Sequence, residues 1–177
     1  MRSLERLLLI TFVLLSCVGC DQVSKTIARQ SLAQSGTISF LNDTLRFQYA
    51  ENSGAFLSLG ASAPEQVRRL VFTIFVGLLL AGTLIYLIRS EKITKPKTIA
   101  VSLVLGGGVG NLIDRVSKDG RVIDFLNVGV GSLRSGVFNL ADVAISIGII
   151  WLFILYTTGL QKSRAVQVLQ RNRRSHR

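Results

Sequence analysis

The sequence is poor in the side chains that metal and cysteine chemistry require. Its 177 residues include one histidine, His176, and two cysteines, Cys17 and Cys20, which form a single C-x-x-C pair. A structural zinc site uses four ligands, most of them Cys or His, so half of a ligand shell is missing. Serine and cysteine mechanisms of hydrolysis lack their partner residues for the same reason. We therefore predict no metal site and no cofactor, and we expect both cysteines to pack as small residues in a helix.

Acidic residues are also scarce, with 10 Asp and Glu against 21 Lys and Arg and a net charge of +11. An excess of this size can indicate nucleic-acid binding. Here, however, the basic residues neither share one predicted face nor alternate with aromatic residues. They flank the apolar runs instead. We therefore predict no nucleic-acid partner and expect the positive charge to lie at a membrane surface.

The most prominent feature of the sequence is its long apolar runs. Apolar residues make up 49% of the sequence, and the mean hydropathy is positive. About 20 apolar residues in a helix cross the hydrocarbon core of a bilayer. The sequence therefore predicts a single membrane domain, 1–177, with transmembrane helices at about 4–22, 68–88, 98–115 and 137–160.

The charges around these runs predict their orientation. Residues 1–6, 89–97 and 162–177 together hold 12 Lys and Arg and 2 acidic residues, whereas the segments between the other helix ends hold 9 and 8. Lys and Arg concentrate in cytoplasmic segments. Both termini are therefore expected in the cytoplasm, with 162–177 as a basic cytoplasmic tail.

The first run has two interpretations. Arg2 and Arg6 before an apolar core are typical of a secretory signal, and the residues before Cys17 form a tolerable lipoprotein leader. Cleavage there would leave three further spanning helices, which is an unusual cargo for a leader. An uncleaved first helix is therefore favoured. Asp21 and Lys25 are four residues apart, so they share a face and predict that this helix continues past the membrane.

Residues 36–60 change from a helical period to a period of two. Apolar residues alternate with polar ones on both sides of a turn at Asn42-Asp43, namely Ile38, Phe40, Leu45, Phe47 and Tyr49. This pattern predicts a β-hairpin. A polar turn around Gly54 then leads into exposed apolar residues at 55–60. A small extracytoplasmic sheet lying on the outer leaflet would explain both features.

The third run is rich in glycine and ends in polar residues. Four of the five residues 106–110 are glycines, a density that lets helix backbones or a peptide approach closely. Asn111, Asp114 and Arg115 follow at spacings of three and four, so they project from one face of the helix near the outer boundary. A nucleotide-binding interpretation fails because no strand precedes the glycines.

Two carboxylates are predicted at the same depth of the membrane boundary. Asp142 is the only ionisable residue in the early part of the last apolar run, and Asp124 follows the apolar pair Val122-Ile123. An acid in the bilayer core is costly unless it is paired, hydrated or used. Two such groups can hydrolyse a peptide bond if one is ionised and the other protonated. A buried charge network that only locks the helices together is an equally good interpretation of the spacing.

Three asparagines favour peptide hydrolysis over a purely structural charge network. Asn52, Asn111 and Asn139 all map to the same outer boundary. An asparagine side chain offers both donors and an acceptor, which suits the binding of an extended peptide backbone. We therefore predict a peptide-binding cleft beside the two carboxylates.

Five segments in this order resemble the lipoprotein signal peptidase family, also called signal peptidase II. They are Asp21-Gln22-x-Ser24-Lys25, Asn52-Ser53-Gly54-Ala55-Phe56, Gly110-Asn111-Leu112-Ile113-Asp114-Arg115, Val122-Ile123-Asp124-Phe125 and Phe138-Asn139-Leu140-Ala141-Asp142. The resemblance implies a membrane α-helical fold of four transmembrane helices with a small extracytoplasmic β-sheet and a short extracytoplasmic loop element. It also implies a multi-pass protein of the bacterial inner membrane, with its active site at the extracytoplasmic face.

The implied activity is that of an aspartic endopeptidase. It would remove signal peptides from diacylglyceryl-modified prolipoproteins by cutting before the lipidated cysteine, so its partners would be these substrates and membrane phospholipid. By the same resemblance Asp124 and Asp142 would be catalytic. The substrate-binding residues would be Asn52, Gly54, Asn111, Arg115, Asn139 and Ala141. Structural support would come from Asp21, Lys25 and Asp114.

The main alternative is a protein that is not an enzyme. A small membrane transporter or channel subunit could use Asp142 as an ion or proton site. Transporters usually contain repeats or interrupted helices in related halves, and the sequence shows neither. The endopeptidase interpretation is therefore preferred.

Overall fold

The structure is a computed structural model that describes residues 3–54, 60 and 62–175, with side chains described as far as Gly159. Two features predicted from the sequence lie outside the described residues. One is the exposed apolar segment 55–59, which includes Ala55 and Phe56 of the second motif. The other is the set of side chains in the basic tail 162–177.

Four helices are long and apolar enough to cross a membrane. We number them α1 (Ser3–Leu32), α2 (Glu65–Arg89), α3 (Lys95–Ser117) and α4 (Leu140–Ser175, with Leu140–Gly159 as its candidate span). Helix α2 is α-helical at both ends and π-helical over Arg69–Phe75. Together with a small sheet, these helices confirm the predicted fold class.

Helix α3 is the centre of the bundle and packs against each of the other three helices. Its glycines allow this close packing. A Cβ atom built on Gly106 would lie 2.6 Å from the Cβ of Cys17 in α1, and one built on Gly107 would overlap the carbonyl oxygen of Ala141 in α4. Small residues at such positions let helices approach in a membrane. Cys17 thus packs as a small residue against Gly106, whereas Cys20 is exposed.

One end of the bundle is closed by Arg6 near the start of α1. This buried side chain donates hydrogen bonds from Nη1 to the carbonyl oxygens of Ser90 and, at 3.5 Å, Ile88. The last carbonyl groups of a helix have no partner within the helix. Arg6 therefore caps the C-terminal end of α2 and fixes α1 beside it.

The other end carries a four-stranded antiparallel sheet, and we call it the sheet end. The strands are β1 (Ile38–Phe40), β2 (Leu45–Asn52), β3 (Val122–Val130) and β4 (Leu133–Arg134), in the order β1-β2-β3-β4. The first hairpin was predicted from its alternation. Strand β3 was not, because its first four residues are all buried and so show no alternation of apolar and polar side chains.

The sheet rests on the last turns of α1. Ala28 and Leu32 of this helix form a small core with Phe125 of β3, and Phe47 and Tyr49 of β2 pack against it. Helix α1 reaches this position because it continues ten residues beyond the predicted span 4–22. The sheet in turn positions β3, the strand that carries Asp124.

Candidate active site

Asp124 lies in β3 and is almost completely buried, with 2% of its surface exposed. Each carboxylate oxygen accepts one hydrogen bond from an asparagine. Asn52 Nδ2 donates to Oδ2 at 3.0 Å, and Asn139 Nδ2 donates to Oδ1 at 2.7 Å. Asn52 is the last residue of β2, where that strand pairs with the start of β3. The strand pairing therefore brings Asn52 to Asp124.

Asp142 is the third residue of α4, and Asn139 immediately precedes that helix. The two residues cap each other. Asp142 N donates to Asn139 Oδ1 at 2.9 Å, and Asn139 N donates to Asp142 Oδ2 at 3.3 Å. This is the reciprocal pattern of a capping box, with Asp in the place usually taken by Glu or Gln. The start of α4 thus fixes Asp142, and Asn139 touches both carboxylates.

Asn111 of α3 joins the same network from the opposite side. Its Nδ2 donates to Asp142 Oδ1 at 2.9 Å. Its Oδ1 accepts hydrogen bonds from Asn139 Nδ2 at 3.0 Å and from Lys25 Nζ at 2.9 Å. All three asparagines predicted at this boundary therefore contact the carboxylates, and two of them contact each other.

Lys25 lies behind Asn111 with only 1% of its surface exposed. Its ammonium group contacts Asp21 Oδ2 at 2.7 Å, Asp114 Oδ2 at 3.0 Å and Asn111 Oδ1 at 2.9 Å. An ammonium group has three donors, so every donor of Lys25 has a partner. The Asp21–Lys25 pair that the helical spacing predicted is thus fully buried and shared with Asp114 of α3.

The two acids of this cluster also hold the backbone beside Asp124 and Asp142. Asp21 Oδ1 accepts a hydrogen bond from Ala141 N at 3.0 Å, and Asp114 Oδ2 accepts one from Ile123 N at 3.1 Å. Ala141 precedes Asp142, and Ile123 precedes Asp124. Ala141, which is 1% exposed, therefore lies behind the carboxylates, against α1 and α3.

Arg115 approaches the site from the end of α3. Its Nη2 donates to the carbonyl oxygen of Gly54 at 2.8 Å, and its guanidinium carbon lies 5.8 Å from the ring centroid of Phe72. Gly54 N donates in turn to Asn52 Oδ1 at 2.9 Å. Among the described residues, the buried Nε of Arg115 has no hydrogen-bond partner. Arg115 and Asp142 line the same groove.

A groove of about 520 Å³ opens at Asp142 and runs along the helices. Its polar end is formed by Asn111, Arg115 and Asp142. Its remaining walls come from α2, α3 and α4 and consist of Phe72, Val76, Gly108, Ile145, Ser146, Ile149 and Ile150. A mostly apolar concavity with a few convergent polar groups is typical of a ligand site.

The sequence did not predict the contribution of α2 to this groove, because the second apolar run suggested only a scaffold. Phe72 lies in the π-helical segment Arg69–Phe75. Such segments often occur at functional sites. Nothing in the local sequence indicates this distortion, which is visible only once the helices are assembled.

The environment of Asp124 raises its pKa to about 6. The main cause is burial, which penalises the charged form, and the charge of Asp142 adds to it. The hydrogen bonds from Asn52 and Asn139 act in the opposite direction. Asp124 therefore gains and loses a proton close to neutral pH. Among the described residues, no group of three or more His, Cys, Asp or Glu side chains is placed to hold a metal ion.

Comparisons with known proteins show that the chain is similar to signal peptidases. Residues 13–158 match the sequence profile of the family described as signal peptidase (SPase) II. A lipoprotein signal peptidase of Chlorobium phaeobacteroides is 36% identical over 146 residues, which is 78% of this chain and 83% of the relative. One of Dehalococcoides mccartyi is 35% identical over 153 residues, or 85% and 90% of the two chains.

Solved structures are similar as well. A bacterial membrane enzyme superposes with a TM-score of 0.72 at 25% identity, covering 89% of this chain and 90% of the other. A second structure, also described as a bacterial membrane enzyme, gives a TM-score of 0.66 at 26% identity, covering 86% and 92%. The structural similarity therefore extends over most of the chain.

Proposed function

The chain belongs to the signal peptidase II family, and on that premise we propose that it is an aspartic endopeptidase of prolipoproteins. It removes the signal peptide from diacylglyceryl-modified prolipoproteins by cutting before the lipidated cysteine. The observation that carries this proposal is the position of Asn139, which donates to Asp124 and exchanges two hydrogen bonds with Asp142. The two carboxylates are thereby held on either side of one side chain.

The chemistry follows from the charge on this pair. Two carboxylates so close together cannot both ionise without a large cost, so the pair holds one proton. The ionised member takes a proton from a water molecule that attacks the scissile carbonyl carbon. The protonated member donates to the carbonyl oxygen as the tetrahedral intermediate forms. The carboxyl group that took the proton from water then protonates the leaving amine, and the C–N bond breaks. A hydroxyl group of the tetrahedral intermediate returns its proton to the other carboxylate as the carbonyl group re-forms, so the pair again holds one proton.

The groove provides a place for the substrate. A signal peptide is an apolar helix, and the groove offers apolar walls that end at Asp142. The scissile bond must leave that helix and become extended to reach the carboxylates. We propose that Asn52, Asn111 and Arg115 bind its backbone. Arg115 lines the groove beside Asp142, so its guanidinium group is placed to meet a substrate carbonyl there.

The orientation in the membrane follows from the charge distribution. We propose that the sheet end is extracytoplasmic and that both termini are cytoplasmic, because the segments 1–6, 89–97 and 162–177 carry nearly all of the net positive charge. The active site then lies at the outer boundary of the inner membrane, which is where lipid-modified precursors expose their cleavage sites.

The proposal is tested with the purified protein in detergent or nanodiscs. A prolipoprotein is supplied in two forms, one carrying diacylglyceryl on its cysteine and one unmodified. We expect a shortened product from the lipidated form, with the modified cysteine at its new N-terminus by mass spectrometry. A lipidated precursor that stays intact would contradict the proposal. Cleavage of both forms at equal rates would contradict the lipid requirement.

A further inference from the structure

A continuous apolar stripe runs along the outer side of α1. Its members are between 57% and 71% exposed: Leu8, Phe12, Leu15, Val23 and Ile27. Leu4, which is also exposed, precedes Ile27 by 23 residues, a rise of about 35 Å at 1.5 Å per residue. The hydrocarbon core of a bilayer is about 30 Å thick. If Leu4 lies near the boundary of the hydrocarbon core at one face of the membrane, Ile27 lies near the boundary at the other face. That second face is the one nearer the sheet.

The stripe does not stop at Ile27 but enters a cleft between α1 and the sheet. This sheet–helix cleft has a volume of about 380 Å³. Its lining residues are Ser24, Ile27, Ala28, Ser31 and Leu32 of α1, Ile38 and Phe40 of β1, Phe47 of β2 and Phe125 of β3. None of the described residues that line it is charged. The hydroxyl group of Ser24 donates to the carbonyl oxygen of Asp21 at 2.8 Å, so it needs no partner in the cleft.

The free edge of β1 continues this apolar surface outwards. Phe40 is 50% exposed and packs edge to face against Phe47, with ring centroids 5.6 Å apart. Leu41, at the following turn, is 75% exposed. A charged cluster lies directly behind the turn, where Asp43 pairs with Arg46 and accepts hydrogen bonds from Arg134. An apolar rim backed by charged residues is typical of elements that lie in a membrane interface.

From this continuity we propose that the sheet–helix cleft is a lipid site, occupied by an acyl chain of a phospholipid in the leaflet at the sheet end. This acyl chain continues the contact between α1 and lipid beneath the sheet, and the edge of β1 lies in the membrane interface. The cleft takes the apolar chain rather than the headgroup, because the described residues that line it are mostly apolar and include no cation.

The occupant is a membrane lipid rather than the lipid group of the substrate. The groove at Asp142 is lined by α2, α3 and α4, whereas the cleft is lined by α1 and the sheet. The two cavities have no lining residue in common. A substrate whose scissile bond lies at Asp142 therefore uses the groove, and the cleft stays open to bilayer lipid.

Fluorescence quenching by brominated lipids tests this site. The only tryptophan, Trp151, is first replaced in a Trp151→Phe background. Phe47→Trp then places a reporter in the wall of the cleft, and Phe40→Trp places a second one at its rim in case the first disturbs packing. Gln48→Trp is the matched control, because Gln48 is the next residue of β2 and is not among the residues that line the cleft. Each protein is studied without substrate in nanodiscs of phosphatidylglycerol and phosphatidylethanolamine, with and without brominated acyl chains.

We expect bromine to quench Phe47→Trp and Phe40→Trp severalfold more than Gln48→Trp. Adding Ser31→Phe, which fills the cleft, should remove most of the quenching of Phe47→Trp while the protein stays monodisperse. Equal quenching at Phe47 and Gln48 would overturn the site, and so would quenching that Ser31→Phe leaves unchanged. A second copy of the chain in the cleft would give no quenching and a fluorescence that depends on protein concentration. None of these readouts depends on peptidase activity.

Discussion

The carboxylate of Asp21 accepts a hydrogen bond from the backbone N–H of Ala141, 120 residues away in the sequence, at 3.0 Å. A matching contact joins Asp114 to Ile123 N at 3.1 Å. Lys25 lies between the two acids and binds both. The residues that follow Ala141 and Ile123 are Asp142 and Asp124. The ammonium group of Lys25 therefore links the strand β3 to the helix α4, the two elements that carry the proposed catalytic pair.

Removing that ammonium group should destabilise the protein and misplace both aspartates. Lys25→Met leaves Asp21 buried without the ammonium group that pairs with it, while Asp114 keeps its pair with Lys118. Breaking a buried ion pair in this way costs about 3–5 kcal/mol. We expect a clearly lower melting temperature and a fall in kcat larger than the change in KM. Glu65→Gln removes a pair with Arg69 that is exposed on both sides, worth about 0–1 kcal/mol, and should change neither. A Lys25→Met protein with parental kcat would show that the cluster does not position the site.

The sequence predicted the four apolar helices and the first hairpin, because each left a local pattern. It also placed Asp124, Asp142 and three asparagines at one boundary, and the structure brings these five residues together. Asp21 and Lys25 are four residues apart on a helix, and the apolar runs give the spans directly. The mutual capping of Asn139 and Asp142 also follows a local pattern, a polar cap residue with an acid three positions later. That signal was present in the sequence and could have placed Asp142 in the first turn of α4.

Other parts of the structure leave no local signal. Lys25 contacts Asp114, which is 89 positions further along the chain, so only assembly of α1 against α3 reveals the shared ammonium group. Strand β3 begins with four buried residues and lacks alternation. Phe72 reaches Arg115 from a π-helical segment. These features depend on tertiary packing, which neither propensity nor spacing describes.

Arg115 should not tolerate replacement by lysine. Its guanidinium group donates to Gly54 O at 2.8 Å while it lies against the ring of Phe72. An ammonium group cannot reproduce this planar geometry. We expect Arg115→Lys to lose most of its cleavage activity while it accumulates in the membrane at the parental level. Arg121→Lys, at an exposed pair with Glu51, is the control and should stay near parental activity. Near-parental turnover of Arg115→Lys would reduce Arg115 to a packing residue.

The proposed topology predicts which loops an impermeant thiol reagent can reach from outside the cell. In a background without Cys17 and Cys20, we introduce Ser62→Cys and Ser117→Cys near the sheet end, and Thr94→Cys in the loop at the other end. All three positions are exposed. The first two should react in intact cells after permeabilisation of the outer membrane alone, and the third only after lysis. The reverse pattern would invert the orientation.

The raised pKa of Asp124 should appear in the pH dependence of stability. A carboxyl group whose pKa rises on folding binds its proton more tightly in the folded state. Its stabilising effect is therefore present below the unfolded pKa, near 3.8, and is lost as the pH rises through about 6. A rise of about two units corresponds to about 3 kcal/mol between these limits.

Asp124→Asn removes this titration. The stability of the variant relative to the parent should therefore increase as the pH is raised from 4 to 7, whatever the absolute effect of the substitution at pH 4. Thermal unfolding in nanodiscs across this range measures the difference. Asp119→Asn, in an exposed turn at positive φ that Asn adopts readily, is measured alongside as the control for removing a surface carboxylate. A constant offset between Asp124→Asn and the parent would contradict the raised pKa.

The joint action of Asp124 and Asp142 is tested by combining their substitutions. Asp124→Asn and Asp142→Asn each keep the size of the side chain but remove its ability to exchange a proton with water. Residues that act in one step are strongly non-additive, so the double variant should cleave a lipidated prolipoprotein scarcely more slowly than either single variant. Single-turnover cleavage measures this, with Asp119→Asn as the control, which should cleave at the parental rate.

If the pair were only a charge network that locks β3 to α4, the same changes would lower the melting temperature and leave cleavage within a few-fold of the parent. If either single variant cleaves at the parental rate, the aspartate that it replaces is not catalytic. No other described acid contacts Asn139, so none is placed to act as a substitute.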